Sequence, residues 1–151
     1  MPSGEHIRIR IESRQSLHGD PDGMKVRSEL LITEAEGVRR EVAGATHILF
    51  EEREEESAKA DKIHLVIRDG SVELKRSGQI TSSFLFAAGA DTPAQYRTPY
   101  GEIPMRIRTR SLLLPDGRAE LYIRILYDIL SGEEILSTNE VSISIKKTSG
   151  F

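Results

Sequence analysis

Three hydroxyl-bearing side chains, Tyr96, Thr98 and Tyr100, stand at every second position of QYRTPYGEIP, residues 95–104. In an extended chain that spacing puts all three on one side. Arg76 ends the run SVELKR, where Val72 and Leu74 share its parity, so continued alternation aims its guanidinium inward with them. The other course open to it is to leave the strand at Lys75 and turn outward near Gly78. A guanidinium kept from water needs carboxylate or carbonyl partners. Glu51 and Glu52, at the end of THILFEE, are its natural counter-ions; Phe50 carries Glu52 to its side and Leu49 carries Glu51, so either could face inward. Thr109 follows Ile103, Met105 and Ile107 at their parity, and Tyr127 falls between Ile125 and Ile129. Glu51, Glu52, Arg76, Tyr96, Thr98, Tyr100, Thr109 and Tyr127 thus make the candidate ligand-binding set.

One arginine among hydroxyls suits a carboxylate or other anion. An enzyme could use the same groups, a glutamate as general base and Arg76 to stabilise charge. A third use is a satisfied internal network that only supports the fold of a structural or partner-binding protein. No spacing demands catalysis, so no catalytic residue is assigned and a non-enzymatic binder is expected.

These residues need a scaffold, and the dominant period along the chain is two. Ile7, Ile9 and Ile11 alternate with Arg8, Arg10 and Glu12; Ile63, Leu65 and Ile67, then Leu121, Ile123, Ile125 and Ile129, then Val141, Ile143 and Ile145 repeat the pattern. A sheet with one buried and one wet face requires this. Turn signals fall between the runs: HGDPDG, RDGS, KRSG, PDGR and LSGEE. IRDGSVEL suits a two-residue Asp-Gly hairpin of type I′. About eight to ten strands joined by short turns imply an antiparallel meander, which curls into a barrel or folds into a sandwich; hairpin following hairpin with few long crossovers favours the up-and-down barrel. In such a barrel Tyr96 and Thr98 enter on one face of a strand, with hydroxyls towards Arg76. Pro99-Tyr100-Gly101 should form its closing corner, with Tyr100 at the rim, because Pro99 cannot donate to a ladder and Gly101 tolerates an unusual φ.

The 151 residues suit one domain, residues 1–151. Aromatics are 5% and Trp is absent, so Ile, Leu and Val must build the core. There is no cysteine, which excludes disulfides and thiolate chemistry. Net charge is −3, so nothing global favours nucleic acid or an anionic membrane. No apolar run nears the roughly 20 residues that span a bilayer, and MPSGEHIRIR lacks a signal-peptide core, so a cytoplasmic protein is expected. Phosphate-loop, dinucleotide and hydrolase motifs are missing. His6, His18, His47 and His64 are not at a metal-ligand spacing, and DPDG at 20–23 reads as a plain turn. No metal or cofactor is expected. EEREEESAKADK, residues 51–62, favours helix by composition but has no apolar stripe, and reads as strand end and loop.

In order, the segments ILFEE, VELKRSG, FLFAAG, QYRTPYG, MRIRT, LYIRILYDIL and STNEVSISIKK resemble the YwiB-like family of small bacterial proteins of unknown function. The resemblance covers about residues 5–147. Its most specific parts are Arg76-x-Gly78 and Tyr96-x-Thr98-Pro99-Tyr100-Gly101; Thr109, Tyr127 and Asn139 fit the same pattern. It implies a calycin-type, lipocalin-like β-barrel and no established activity. Leu49-Phe50 departs from the family, where a Tyr is common before the glutamates, and ESAKAD lacks an expected Thr-rich hairpin.

Overall fold

The computed structural model describes residues 4–18, 28–53, 59–114 and 120–148, and every regular element among them is a strand. In chain order these are β1 (Glu5–Leu17), β2 (Ser28–Val42), β3 (Ala45–Arg53), β4 (Ala60–Arg68), β5 (Ser71–Ser77), β6 (Thr81–Phe86), β7 (Asp91–Thr98), β8 (Gly101–Glu102), β9 (Met105–Leu113), β10 (Leu121–Ser131) and β11 (Glu134–Lys147). Consecutive strands pair antiparallel from β1 to β7. β7 pairs with β9, β9 to β11 continue the meander, and β11 returns to β1. Pairing of β6 with β7 closes the ring. Eleven strands less the two-residue β8, which hangs on β7, leave ten in the wall. The expected all-β up-and-down barrel is what the chain forms. The DPDG and PDGR turns, and residues 54–58 of the glutamate-rich stretch, lie outside the described residues; on either side of the latter, β3 runs to Arg53 and β4 starts at Ala60.

Closure explains why alternation is so regular. A barrel leaves no sheet edge where it closes and gives each strand one inner and one outer face. Ile7, Ile9, Ile48, Leu65, Val72, Phe86, Ile107, Ile123 and Ile145 are fully or almost fully buried in the resulting core. Each such side chain contributes about 1.5–3 kcal/mol relative to exposure.

Cross-strand partners share a face, so rows can be followed around the interior. One runs Leu121–Ile145–Ile9–Ala35, and another Ile48–Leu65–Leu74–Phe84; both are apolar. A third runs Thr109–Tyr127–Asn139–Gln15, and a fourth Arg76–Ser82–Tyr96, next to the pair Glu52–Asp61. Arg76, Asp61, Glu52, Ser82 and Tyr96 sit where β5 ends, β4 begins, β3 ends, β6 begins and β7 ends. Asn139 and Gln15, near the start of β11 and the end of β1, belong to that same end. The inward-facing positions are therefore apolar towards one end of the barrel and polar towards the other.

Two turns differ from expectation or explain local sequence. Gly70 has φ 86°, but Asp69 is not at positive φ, so the Asp-Gly hairpin is not type I′, which needs both. That signature belongs to Ala43-Gly44, with φ 51° and 82°, between Val42 and Ala45. On β9 the register with β10 shifts so that Leu126 faces Ser111 and Tyr127 faces Thr109, leaving Arg110 as an extra, bulged residue.

Candidate functional site

Arg76 follows Val72 and Leu74 inward, as alternation requires, and its guanidinium is held by two carboxylates. Its Nη2 donates to Glu52 Oε2 at 3.1 Å and its Nη1 to Asp61 Oδ2 at 3.0 Å. The other Asp61 oxygen accepts the Gln79 backbone N–H at 3.0 Å. This explains the Arg-x-Gly pattern: a Cβ at position 78 would collide with the Asp61 carboxylate, so glycine lets the loop close over it. Between the two glutamates the choice falls on Glu52. Glu51 faces outward and is exposed, across the ladder from Lys62. Asp61 was missed by sequence reading, although it stands two residues before Ile63, at the inner parity of β4.

Tyr96 faces inward across from Ser82, stacked on Phe84 with ring centroids 6.5 Å apart. Phe84 meets Phe86 at 6.3 Å, and Phe86 meets Tyr127 at 4.7 Å. An aromatic file thus joins the Arg76 group to the row of Thr109, Tyr127 and Asn139. The Asn139 amide donates to Ser137 Oγ at 3.0 Å. Thr109 is 1% exposed and its hydroxyl has no hydrogen-bond partner among the described residues. Burial alone pushes the Tyr127 hydroxyl up to about 12.

The last two members of the sequence-derived set do something else. Tyr100 is 98% exposed at the turn tip, so it neither reaches Arg76 nor lines a mouth. Thr98 serves the turn: its hydroxyl accepts the Tyr100 N–H and donates to the Gly101 carbonyl, both at 3.1 Å. The corner is a tight hairpin, Thr98 paired with Gly101 and Gly101 at φ 128°, and it leads through β8 into β9. Thr-Pro-Tyr-Gly is an architectural motif because two hydrogen bonds from one hydroxyl and a permissive glycine make the reversal.

Two polar groups on the outer face were not singled out in the sequence. Asp128 is wholly buried although its parity is outward. Its carboxylate accepts from Arg110 Nε and from the Thr138 hydroxyl, each at 2.7 Å, and Thr138 Oγ1 lies 2.8 Å from His18 Nε2. Since the Thr138 proton goes to Asp128, His18 must donate in its turn, and the chain runs His18 to Thr138 to Asp128. His47 and His64, 17 residues apart, meet with Nδ1 to Nε2 at 2.9 Å. No group of three or more potential metal-ligating side chains exists among the described residues, so neither cluster forms a metal site of that kind.

Residues 9–143 match the model of a domain of unknown function, DUF1934. The chain belongs to this family. Its fold is also that of a solved family-like protein: the crystal structure of the ywiB protein from Bacillus subtilis superposes with a TM-score of 0.81 at 19% identity, over 99% of this chain and 96% of that one. In sequence, an uncharacterized β-barrel protein, YwiB of Bacillus subtilis strain 168, is 31% identical over 68 residues. That segment takes in 45% of this chain and about half the curated relative, 48% of its length. The family and the ten-stranded barrel are thereby established, as the motifs at 76–78 and 96–101 implied. Neither the family description nor the printed names of these proteins assign a function, so the chemistry must come from the polar end.

Proposed function

We propose that the barrel holds one small, polar molecule at its polar end and catalyses no reaction. The observation that supports this most is the Thr109 hydroxyl, which is inside the barrel, 1% exposed and without a partner among the described residues. An unpaired buried hydroxyl costs about 1–3 kcal/mol. A ligand that offers it a donor or acceptor, between the Tyr127 hydroxyl and the file of rings, recovers that cost. Apolar walls with few convergent polar groups are the usual make-up of small-molecule sites. The ion pairs refine the ligand's charge. Arg76 spends both guanidinium ends on Glu52 and Asp61, one positive charge against two negative. An anion therefore gains little there, and an uncharged or singly cationic ligand suits the mouth better than the anion that a lone arginine suggested. With net charge −3 the proposal includes no nucleic-acid or membrane-surface partner, and a cytoplasmic setting.

A second reading draws on the same trio. Arg76, Glu52 and Asp61 satisfy one another, as a network does when it only specifies a fold. Thermal unfolding separates the readings. Protein purified without denaturation should melt higher than the same protein unfolded in urea, dialysed and refolded, because bound ligand stabilises the folded state by mass action. Small molecules extracted from the native preparation should restore the difference. Identical melting of native and refolded protein, with no response to the extract, supports the structural reading instead.

A further inference from the structure

On the outer face of the barrel His47 and His64 aim ring nitrogens at each other, Nδ1 to Nε2 at 2.9 Å, with the rings 30° from parallel. His47 faces Val66 across the β3–β4 ladder, and His64 stands two residues before Val66 on β4. Val66 points outward, between the inward Leu65 and Ile67, yet it is 1% exposed. Its cross-strand neighbours on that face are His47 and Glu73, and both histidines are themselves half-buried. The imidazoles are thus packed over an apolar floor, which holds their nitrogens together, rather than standing free in water.

We propose that these two imidazoles form a bidentate site for one divalent transition-metal ion, copper(II) or nickel(II), with water in the remaining positions. Metal–imidazole bonds are about 2.0–2.1 Å long. Two of them meeting at a right angle set their nitrogens about 2.9 Å apart, whereas a tetrahedral angle needs about 3.3 Å. The observed 2.9 Å therefore fits neighbouring positions of the tetragonal geometry that copper(II) and nickel(II) prefer, and imidazole suits both ions. With both rings neutral, the proton between them moves to the outer nitrogen of the ring that carries it. The pair then turns from a hydrogen bond into a chelate without releasing a proton. Burial, His47 and Lys75 hold the His64 pKa below the ordinary histidine range, which keeps that ring neutral and able to ligate at pH 7. Arg40, across the ladder from His47, and Arg68 and Lys75 oppose a cation; Glu73, paired with both Arg68 and Lys75, offsets part of this. Such surroundings disfavour hard ions, which seek carboxylate oxygens. No third His, Cys, Asp or Glu joins the pair among the described residues, so water completes the coordination.

The test is titration of the full chain with copper(II) chloride alone, followed by calorimetry and pulsed electron paramagnetic resonance. One ion should bind per chain, and the wild-type spectrum should show two coordinated imidazoles. His47→Gln and His64→Gln, which keep hydrogen-bonding side chains, should each weaken binding roughly a hundredfold, because the second imidazole binds as an intramolecular partner. His6→Gln, exposed on β1, should not weaken it. Added salt should leave the affinity unchanged or raise it, since it screens Arg40, Arg68 and Lys75; an ion held loosely by a surface of net charge −3 would instead be released. A wild-type chain that binds no copper, or a spectrum with fewer than two imidazoles, overturns the proposal. So does binding that either of the two site variants leaves intact.

Discussion

Arg110 and Asp128 meet on the outer face of the barrel, Nε to Oδ2 at 2.7 Å, with the carboxylate fully buried and the arginine half exposed. The bulge makes the meeting possible. The extra residue on β9 lies between Thr109 and Ser111, both of which have direct partners on β10, so Arg110 is free to lean over Asp128. A buried carboxylate stripped of its partner is costly. Arg110→Ala should therefore destabilise by about 2–4 kcal/mol, and Asp128→Asn by less, because the amide can still accept from Thr138. Urea unfolding of the two variants checks this. Arg110→Ala with wild-type stability would mean that Arg108, directly opposite Asp128, takes over.

The Arg76 trio is less buried, so its effect should be smaller. Arg76→Ala leaves Glu52 and Asp61 facing each other and should lower stability by about 1–3 kcal/mol, short of the 3–5 of a fully buried pair because water reaches the groups. Arg8→Ala, whose partner Glu36 is exposed, should change stability by less than about 1 kcal/mol.

Ala43 holds a left-handed conformation, φ 51°, at the first position of the Ala43-Gly44 turn. A residue with a side chain pays about 1–2 kcal/mol there, and asparagine and glycine pay less. Ala43→Asn should raise the melting temperature by about 2–4 °C, the shift that roughly 1 kcal/mol gives a domain of this size. A fall on calorimetry would contradict the turn assignment.

His64 should make stability depend on mildly acid pH. Burial first, then the nearby His47 and Lys75, holds its pKa below the ordinary histidine range, with Arg68 adding to this and Glu73 opposing it. Arg40, across the ladder from His47, adds a further positive charge to that face. A lowered pKa means that the unfolded chain binds the proton more readily, so stability is full above about pH 6.5 and declines as pH falls through it. Melting temperatures between about pH 8 and pH 5 should fall for wild type, and fall less for His64→Gln. Parallel curves would show that other groups set the acid response.

Alternation made the barrel legible because closure enforces it over nearly the whole circumference. Arg76, Thr109 and Tyr127 stood out as polar residues on an apolar parity, and they do face inward. Asp61 carried the same signal but was read as part of a charged loop. Tyr100 misled because period two holds only while the strand lasts, and Pro99 ends it. Asp128 was hidden for a different reason. Its parity is correctly outward, and what meets it there, Arg110 from the bulge on β9 and Thr138 on β11, is invisible in the sequence of β10. The His47–His64 contact likewise depends on the β3–β4 register, which puts Leu49 rather than His47 directly opposite His64 and makes the pair diagonal.

A small polar ligand at the polar end is tested most directly by native mass spectrometry of protein isolated without denaturation. The wild-type chain should carry a non-covalent adduct of defined mass. Thr109→Val and Tyr127→Phe, which keep shape and lose a hydroxyl, should lose the adduct while remaining folded. A bare polypeptide mass for wild type, or an adduct that both variants retain undiminished, would contradict the account.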